Sequence, residues 1–209
     1  MTDKRKAVIL LSGGVDSATV LAMAARDGFE VHALSFRYGQ RHQVELEAAR
    51  RLAGHYAVAQ HIVVDIDPTV FGGAVLTGGD QRFGPAEAPS TYVPARNTLF
   101  LSYAIAWAEA LDARDIFLGP NADDAAGYPD CREQYLRAFE RVAELGTQAG
   151  KGLSIHAPLV HRSKREVVEL ARSLEVPLEV TWSCYFPTAS GQPCGNCDAC
   201  RLRVGAGLG

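Results

Sequence analysis

Lys6-Ala7-Val8-Ile9-Leu10-Leu11-Ser12-Gly13-Gly14-Val15-Asp16-Ser17 decides the architecture. Lys6 to Leu11 is a short run of apolar residues behind a basic start, and its length and β-branching predict a buried parallel strand. Ser12-Gly13-Gly14 then turns the chain, and Asp16 to Arg26 has helical composition ending near Gly28. A strand that closes in a glycine turn and opens a helix aims free backbone N–H groups at one point. The helix dipole adds partial positive charge there. Glycine lets the backbone approach a phosphate chain closely. Ser12 and Ser17 supply short hydroxyls. Asp16 is an odd neighbour for phosphate unless magnesium sits between them.

The same alternation continues. Glu30 to Phe36 reads as a second strand, Val44 to Leu52 as a polar-faced helix and His61 to Ile66 as a third strand. Thr98 to Leu111 is a strongly apolar helix, suited to a core or to a homodimer interface. Asp115 to Leu118 and Ser154 to Ala157 read as strands four and five. Between them Arg132 to Leu145 repeats Tyr135, Phe139, Val142 and Leu145 at helical spacing. Ser163 to Leu174 is a helix with Ser163 as its cap. Repeated strand–helix–strand units predict an α/β fold, a doubly wound parallel sheet with helices on both faces. Asp67 to Tyr92 is long, rich in Gly, Pro and Thr, and lacks periodicity, as functional loops do.

Composition sets outer limits. At 47% hydrophobic and 22% charged over 209 residues, the chain can bury a core, which excludes disorder. Lys plus Arg is 21 against 24 Asp plus Glu, a net charge of −3, which disfavours a dedicated nucleic-acid binder. The longest apolar stretch, near Leu99 to Ala108, is about half the roughly twenty residues of a membrane span. The basic-then-apolar start is too short for a signal peptide. These features suggest a cytoplasmic protein with no membrane association.

After Val176 the character changes. Cys194, Cys197 and Cys200 form C-x2-C-x2-C, and Cys184 lies ten residues upstream. Four thiolates at this spacing fit a tetrahedral zinc site, and Gly191, Pro193 and Gly195 permit the tight turns. Thiolates also hold iron–sulfur clusters, the main rival; a disulfide would call for a secreted chain. A closed four-thiolate site would staple the segment rather than catalyse. The expected organisation is a nucleotide-binding α/β unit over 1–176 and a small C-terminal zinc-binding segment over 177–209.

Three further segments are dense in polar groups and fall where strands end, the edge at which parallel sheets bind ligands. Phe36 to His42 carries Arg37, Gln40, Arg41 and His42. Tyr92 to Asn97 places Arg96 and Asn97 at a helix start, where Arg can clamp phosphate or carboxylate. Asn121 to Arg132 holds Asp123, Asp124, Tyr128, Asp130 and Arg132, able to face a base-like ring and magnesium. Lys164, after His161 and Arg162, can neutralise phosphate charge. Cys131 reads as a small buried residue rather than a nucleophile.

Ser12 to Ser17 lacks the Gly-Lys-Ser/Thr of a Walker loop and the spacing of a dinucleotide fingerprint. It resembles the pyrophosphate loop of the N-type ATP pyrophosphatases, the PP-loop superfamily. Together with Tyr-Gly-Gln-Arg-His (38–42), Val-Pro-Ala-Arg-Asn (93–97), Gly-Tyr-Pro-Asp-Cys-Arg (127–132), Thr-Trp-Ser-Cys-Tyr (181–185) and Cys-Gly-Asn-Cys-Asp-Ala-Cys (194–200), the chain resembles the 7-cyano-7-deazaguanine synthases of queuosine biosynthesis nearly end to end. The resemblance implies a Rossmann-like fold of the adenine nucleotide α-hydrolase type. It implies a ligase that converts 7-carboxy-7-deazaguanine and ammonia to the nitrile with ATP. It matches Leu11, Ser12, Gly13, Gly14, Val15, Asp16, Ser17, Ala18, Thr19, Val20 and Leu21 to the ATP-binding stretch. The four cysteines match the family's Zn2+ ligands.

The chemistry adds roles. Asp16 with Asp124 or Asp130 would hold Mg2+, with Ser17 beside them on the loop, while Arg96 and Lys164 would offset negative charge. Arg37, Gln40, Arg96, Asn97, Tyr128, Asp130 and Arg132 are the candidate substrate-binding residues. Ala125-Ala126 departs from the family's aromatic-then-Ser pair, and the stretch after Arg203 departs from its Lys-Gly-Phe-like extension. Two rivals remain at this level: adenylation of another acceptor such as tRNA, and a non-catalytic nucleotide-binding module. The small-molecule reading expects no stable nucleic-acid partner.

Overall fold

The computed structural model describes residues 4–40, 44–83, 89–148 and 152–208. Five parallel strands form one sheet in the order β3-β2-β1-β4-β5. They are β1 (Lys6–Leu10), β2 (Glu30–Arg37), β3 (Gln60–Asp65), β4 (Asp115–Phe117) and β5 (Ser154–His156). The helices are α1 (Val15–Arg26), α2 (Val44–His55), α3 (Arg96–Leu111), α4 (Ala122–Gly127), α5 (Glu133–Gly146), α6 (Lys164–Ser173) and α7 (Asp198–Gly205). The expected doubly wound parallel sheet is present, with each expected strand and helix within a few residues of its reading.

Alternation along β1 splits the core. Ala7, Ile9 and Leu11 pack with α1, α2 and α6, whereas Val8 packs with α3 and α5 on the other face. The apolar stripe of α3, Leu101, Ala104, Ile105 and Ala108, is spent in this second layer. Truncating a side chain as enclosed as Leu101 costs about 2–5 kcal/mol. Ser163 caps α6 as expected: its hydroxyl accepts the Glu166 N–H, and the Glu166 carboxylate takes the Ser163 N–H at 2.8 Å.

The strand order reverses between β1 and β4. Chain leaving β1 crosses to β2, whereas chain reaching β4 arrives from the far side through α3. The two connections diverge and leave a crevice above the carboxyl ends of β1 and β4, where such sheets bind ligands.

The Asp67–Tyr92 stretch is more ordered than its composition suggests. Pro68–Phe71 and Val75–Thr77 form 3-10 turns, a parallel bridge joins Ala74 to Gln81, and Phe71, Ala74 and Leu76 are buried under Tyr38. Residues 84–88 of that stretch, and Arg41 and His42 of the earlier polar segment, lie outside the described residues. No helix among the described residues is long and apolar enough to cross a membrane.

Candidate active site

The site begins with the turn after β1. Gly13 has φ +87°, and a Cβ there would lie 2.2 Å from the Glu45 carbonyl oxygen. Only glycine lets the start of α2 press against this turn. Gly14 occupies the N-cap of α1 in extended conformation with no side-chain cap. The N–H groups of Val15, Asp16 and Ser17 therefore lack intrahelical acceptors and add to the positive end of the dipole. The serines brace the turn. The Ser17 hydroxyl donates to the Gly14 carbonyl at 3.0 Å and accepts the Ser12 N–H at 3.2 Å.

Leu11, Ser12, Gly14, Val15, Asp16 and Ser17 border a cavity of about 310 Å³. Ala18, Thr19, Val20 and Leu21 do not. They point into the core, with Thr19 donating its hydroxyl to the Val15 carbonyl at 2.7 Å. This half of the expected ATP stretch holds the helix in place and does not face the ligand space, because helical periodicity turns the second turn inward.

The opposite lip follows β4. A Cβ on Gly119 would come within 3.1 Å of the Asp16 backbone carbon, so glycine allows this loop to meet α1. Asn121 caps α4, its side chain accepting the Asp123 and Asp124 N–H groups, while the Asp124 carboxylate accepts the Asn121 N–H at 3.0 Å. Burial raises the Asp124 carboxyl above its ordinary pKa; the Asn121 N–H opposes this, and the charge of Asp16 adds to it. Lys164 Nζ pairs with Asp16 Oδ2 at 2.5 Å, with side chains only 19% and 22% exposed. Asn121 Nδ2 reaches Asp16 Oδ1 at 3.5 Å. Thus Asp16, Asp124 and Lys164 meet at the cavity floor.

The third wall comes from β2, α2 and α3. Arg96 donates to the Tyr38 hydroxyl at 3.3 Å and lies over its ring, 5.9 Å from the centroid. Gln40 accepts the Tyr38 N–H and donates to the Phe36 carbonyl and to Glu45 Oε1, the last at 2.7 Å. Tyr128, held by Thr91 at 2.7 Å, and Tyr185 close the aromatic side. Burial raises the Cys131 thiol to about 12, with Asp124 and Asp130 adding to the effect. That thiol stays protonated and is no nucleophile.

Several expected residues lie elsewhere. Asp130 is buried, but its carboxylate accepts the Asn97 N–H at 2.9 Å, capping α3 away from the cavity lining. Asn97 itself borders the cavity, with its side chain donating to the Asp130 carbonyl and to Cys131 Sγ. Arg37 turns outward to Asp65 at 2.6 Å, and Arg132 donates to the Ala125 carbonyl, tying α4 to the start of α5. In each case a nearer backbone or carboxylate partner claims the group. Conversely, Tyr38, Glu45, Gly119, Trp182, Ser183 and Tyr185 matter to the site and were not expected as its residues. Tyr38, Trp182, Ser183 and Tyr185 stood in the quoted family motifs, whereas Glu45 and Gly119 carried no local signal.

The four cysteines gather as the spacing predicts. The Sγ atoms of Cys184, Cys194, Cys197 and Cys200 all lie within 4.8 Å of one another. Four sulfurs this close fit around one metal ion, whereas a four-iron cluster gives each thiolate its own iron and spreads them further. Backbone N–H groups of Cys194 and Cys197 point at Cys184 Sγ and Cys194 Sγ, at 3.3 and 3.4 Å, the usual support for bound thiolate. The cluster can hold a metal. It also touches the site: Cys184 borders the cavity, the Trp182 N–H donates to the Gly13 carbonyl at 2.9 Å, and Arg203 ties α7 to Thr181, Ser183 and the Leu178 carbonyl.

The glycine turn, the Asp124 loop and the cysteine knuckle surround one crevice. The family model described as queuosine biosynthesis protein QueC fits residues 6–207. The chain belongs to the QueC family. Its relatives include the 7-cyano-7-deazaguanine synthase of Frankia casuarinae, 54% identical over 97% of this chain and 89% of that one. That of Pseudomonas aeruginosa is 51% identical over 97% and 93%. As a QueC member the chain is an enzyme of queuosine biosynthesis. Among solved structures, NMN synthetase from Francisella tularensis aligns with TM-score 0.53 and 24% identity over 91% of this chain and 70% of that one. NH3-dependent NAD synthetase from Campylobacter jejuni aligns at 0.50 and 18% over 86% and 68%. These two show the fold alone, a Rossmann-like parallel sheet with helices on both faces.

Proposed function

We propose that this enzyme converts 7-carboxy-7-deazaguanine and ammonia to 7-cyano-7-deazaguanine, with ATP cleaved to AMP and pyrophosphate. What supports this reading is the shared cavity: a glycine turn suited to phosphate, a lysine–carboxylate pair and an aromatic wall border one space. A carboxylate is a poor electrophile because its oxygen leaves badly. Attack of that oxygen on the α-phosphorus of ATP releases pyrophosphate and gives an acyl adenylate. Ammonia then adds at the carbonyl carbon, AMP departs, and the amide forms with loss of a proton to solvent. The amide oxygen repeats the attack on a second ATP. Loss of AMP and the remaining protons leaves the nitrile.

In this reading Ser12, Gly14 and the first-turn N–H groups of α1 bind the pyrophosphate portion. Lys164 and Arg96 offset charge developing at phosphorus and on the leaving groups. Asp16 and Asp124 would hold magnesium, which supplies charge neutralisation at the triphosphate. Asp130 keeps a positioning role at α3. Gln40, Tyr128 and Asn97 shape the acceptor's pocket, the first and last through the neighbours they hold. The cysteines bind zinc, so that the 177–209 segment braces the 1–176 unit. The location proposed for it is the cytoplasm, where ATP is supplied.

Mass spectrometry of a reaction containing magnesium-ATP, ammonium and 7-carboxy-7-deazaguanine tests the proposal. The nitrile together with AMP is the expected result. ATP consumption only with another acceptor, tRNA first among them, would overturn it.

A further inference from the structure

Gln40 stood among the expected substrate contacts, yet every polar atom of its side chain is engaged: Oε1 takes the Tyr38 N–H at 2.7 Å, and Nε2 serves the Phe36 carbonyl at 2.9 Å and Glu45 Oε1 at 2.7 Å. Its amide is a bracket for Glu45. Glu45 is the second residue of α2 and borders the cavity beside Tyr38, Gln40 and Arg96. Its backbone is fixed by the contact with Gly13. Its second oxygen, Oε2, has no partner among the described residues. Glu45 is half-buried at the cavity edge, and Oε2 is not a buried atom, so its lone pairs are open to a donor that enters the cavity. Burial raises its pKa, and the Gln40 amide and the Arg96 guanidinium oppose part of that rise; two N–H donors on an incoming ring would favour the ionised form, which is an acceptor only.

We propose that Glu45 is the specificity-determining residue for the acceptor ring, and that its carboxylate reads two adjacent N–H donors such as the N1–H and 2-amino group of a guanine-type edge. Adenine presents one amino group beside the N1 acceptor, which an ionised carboxylate repels. The bracketed Glu45 thus separates the two purine-like ligands of the reaction, the acceptor and ATP, by the pattern of their edges. Gln40 acts as a positioning residue for it. This inference rests on the deazaguanine reading above.

Calorimetric titration tests it with three probes: 7-carboxy-7-deazaguanine, the analogue lacking its 2-amino group, and α,β-methylene ATP. The unaltered enzyme is expected to prefer the 2-amino ligand by roughly 10- to 100-fold, the span of one good bidentate contact. Glu45→Gln is expected to erase the preference and leave binding of the ATP analogue in place. Gln40→Ala is expected to reduce the preference partway. Equal binding of the two deazapurines by the unaltered enzyme, a measurement that needs no variant, would overturn the proposal. So would a preference that survives Glu45→Gln, or loss of the ATP analogue instead. If the unaltered enzyme binds the ATP analogue and neither deazapurine, the acceptor assignment falls and takes this inference with it.

Discussion

The Trp182 N–H donates to the carbonyl of Gly13 at 2.9 Å, so a residue two positions before the first cysteine of the cluster holds the turn proposed to receive phosphate. Trp182 is itself locked by its indole N–H on the Cys184 carbonyl at 2.8 Å. Removing the metal therefore disturbs more than the knuckle. Chelation is expected to raise the KM for ATP about tenfold or more, since small displacements of binding groups are costly. Titration of the apoprotein with zinc, following KM and kcat separately, checks this. Unchanged KM with metal gone would break the link.

Gly13→Ala meets two obstacles, a left-handed backbone and the Glu45 carbonyl. The expected loss is about 2 kcal/mol or more in denaturant unfolding, with ATP binding lost as the turn moves. A Gly14→Ala control, whose Cβ would sit 3.5 Å from its nearest neighbours, is expected to lose less stability.

Lys164→Ala leaves the Asp16 carboxylate without its ammonium partner and removes a cation from the cavity floor. We expect kcat/KM to fall roughly 10²- to 10³-fold, the range for a single charge-stabilising group. Steady-state assays with AMP detection suffice. A variant with normal kcat/KM would show that the pair only packs.

Asp124 and Asp130 are expected to separate by role. Asp130→Ala should cost about 1–3 kcal/mol of stability through the unpaired Asn97 N–H and leave magnesium dependence alone. Asp124→Asn should raise the magnesium requirement. The Asp124 carboxyl has a raised folded pKa, so the fold holds its proton more tightly than the unfolded chain does. In magnesium-free protein its contribution to stability therefore rises as pH falls through the raised value towards the ordinary 3.8, and is smallest above it. Magnesium needs the ionised form, so its affinity is expected to weaken over the same descent, a dependence that Asp124→Asn removes.

Cys131, with its thiol near 12, should resist iodoacetamide at pH 8 in folded protein. Cys131→Ala is expected to keep most of its activity. Rapid alkylation of Cys131 with matching inactivation would contradict the burial described here.

Much of this was legible from residues alone, for definite reasons. β1 and its glycine turn stand out because burial on both faces forces an apolar run, and because phosphate geometry needs glycine. The cysteines stand out because metal ligation restricts both residue type and spacing. Helix α4 was invisible: six residues without apolar rhythm form it through the Asn121–Asp124 capping box, a local exchange of hydrogen bonds. Helix α7 was hidden for a similar reason, since cysteine and arginine contacts fix it rather than an apolar stripe. For Asp130 and Gln40 the sequence shows that a polar group exists but not which neighbour claims it: Asp130 caps α3, and Gln40 borders the cavity with its amide held by Phe36, Tyr38 and Glu45. Glu45 was missed because its importance arises from the packing of α2 against Gly13.

The parallel strand order also sets a timetable for synthesis. β1 lies at the centre of the sheet but gains β4 as its second neighbour only after α3 has emerged. The hydrogen bond that steadies Gly13 comes from Trp182, and the sulfurs that hold that segment come later still. Chains are made and begin to fold from the amino end. The glycine turn is thus among the first parts translated and among the last to be secured, so on the proposed function a nascent chain would gain its grip on ATP only once the cysteine segment has closed.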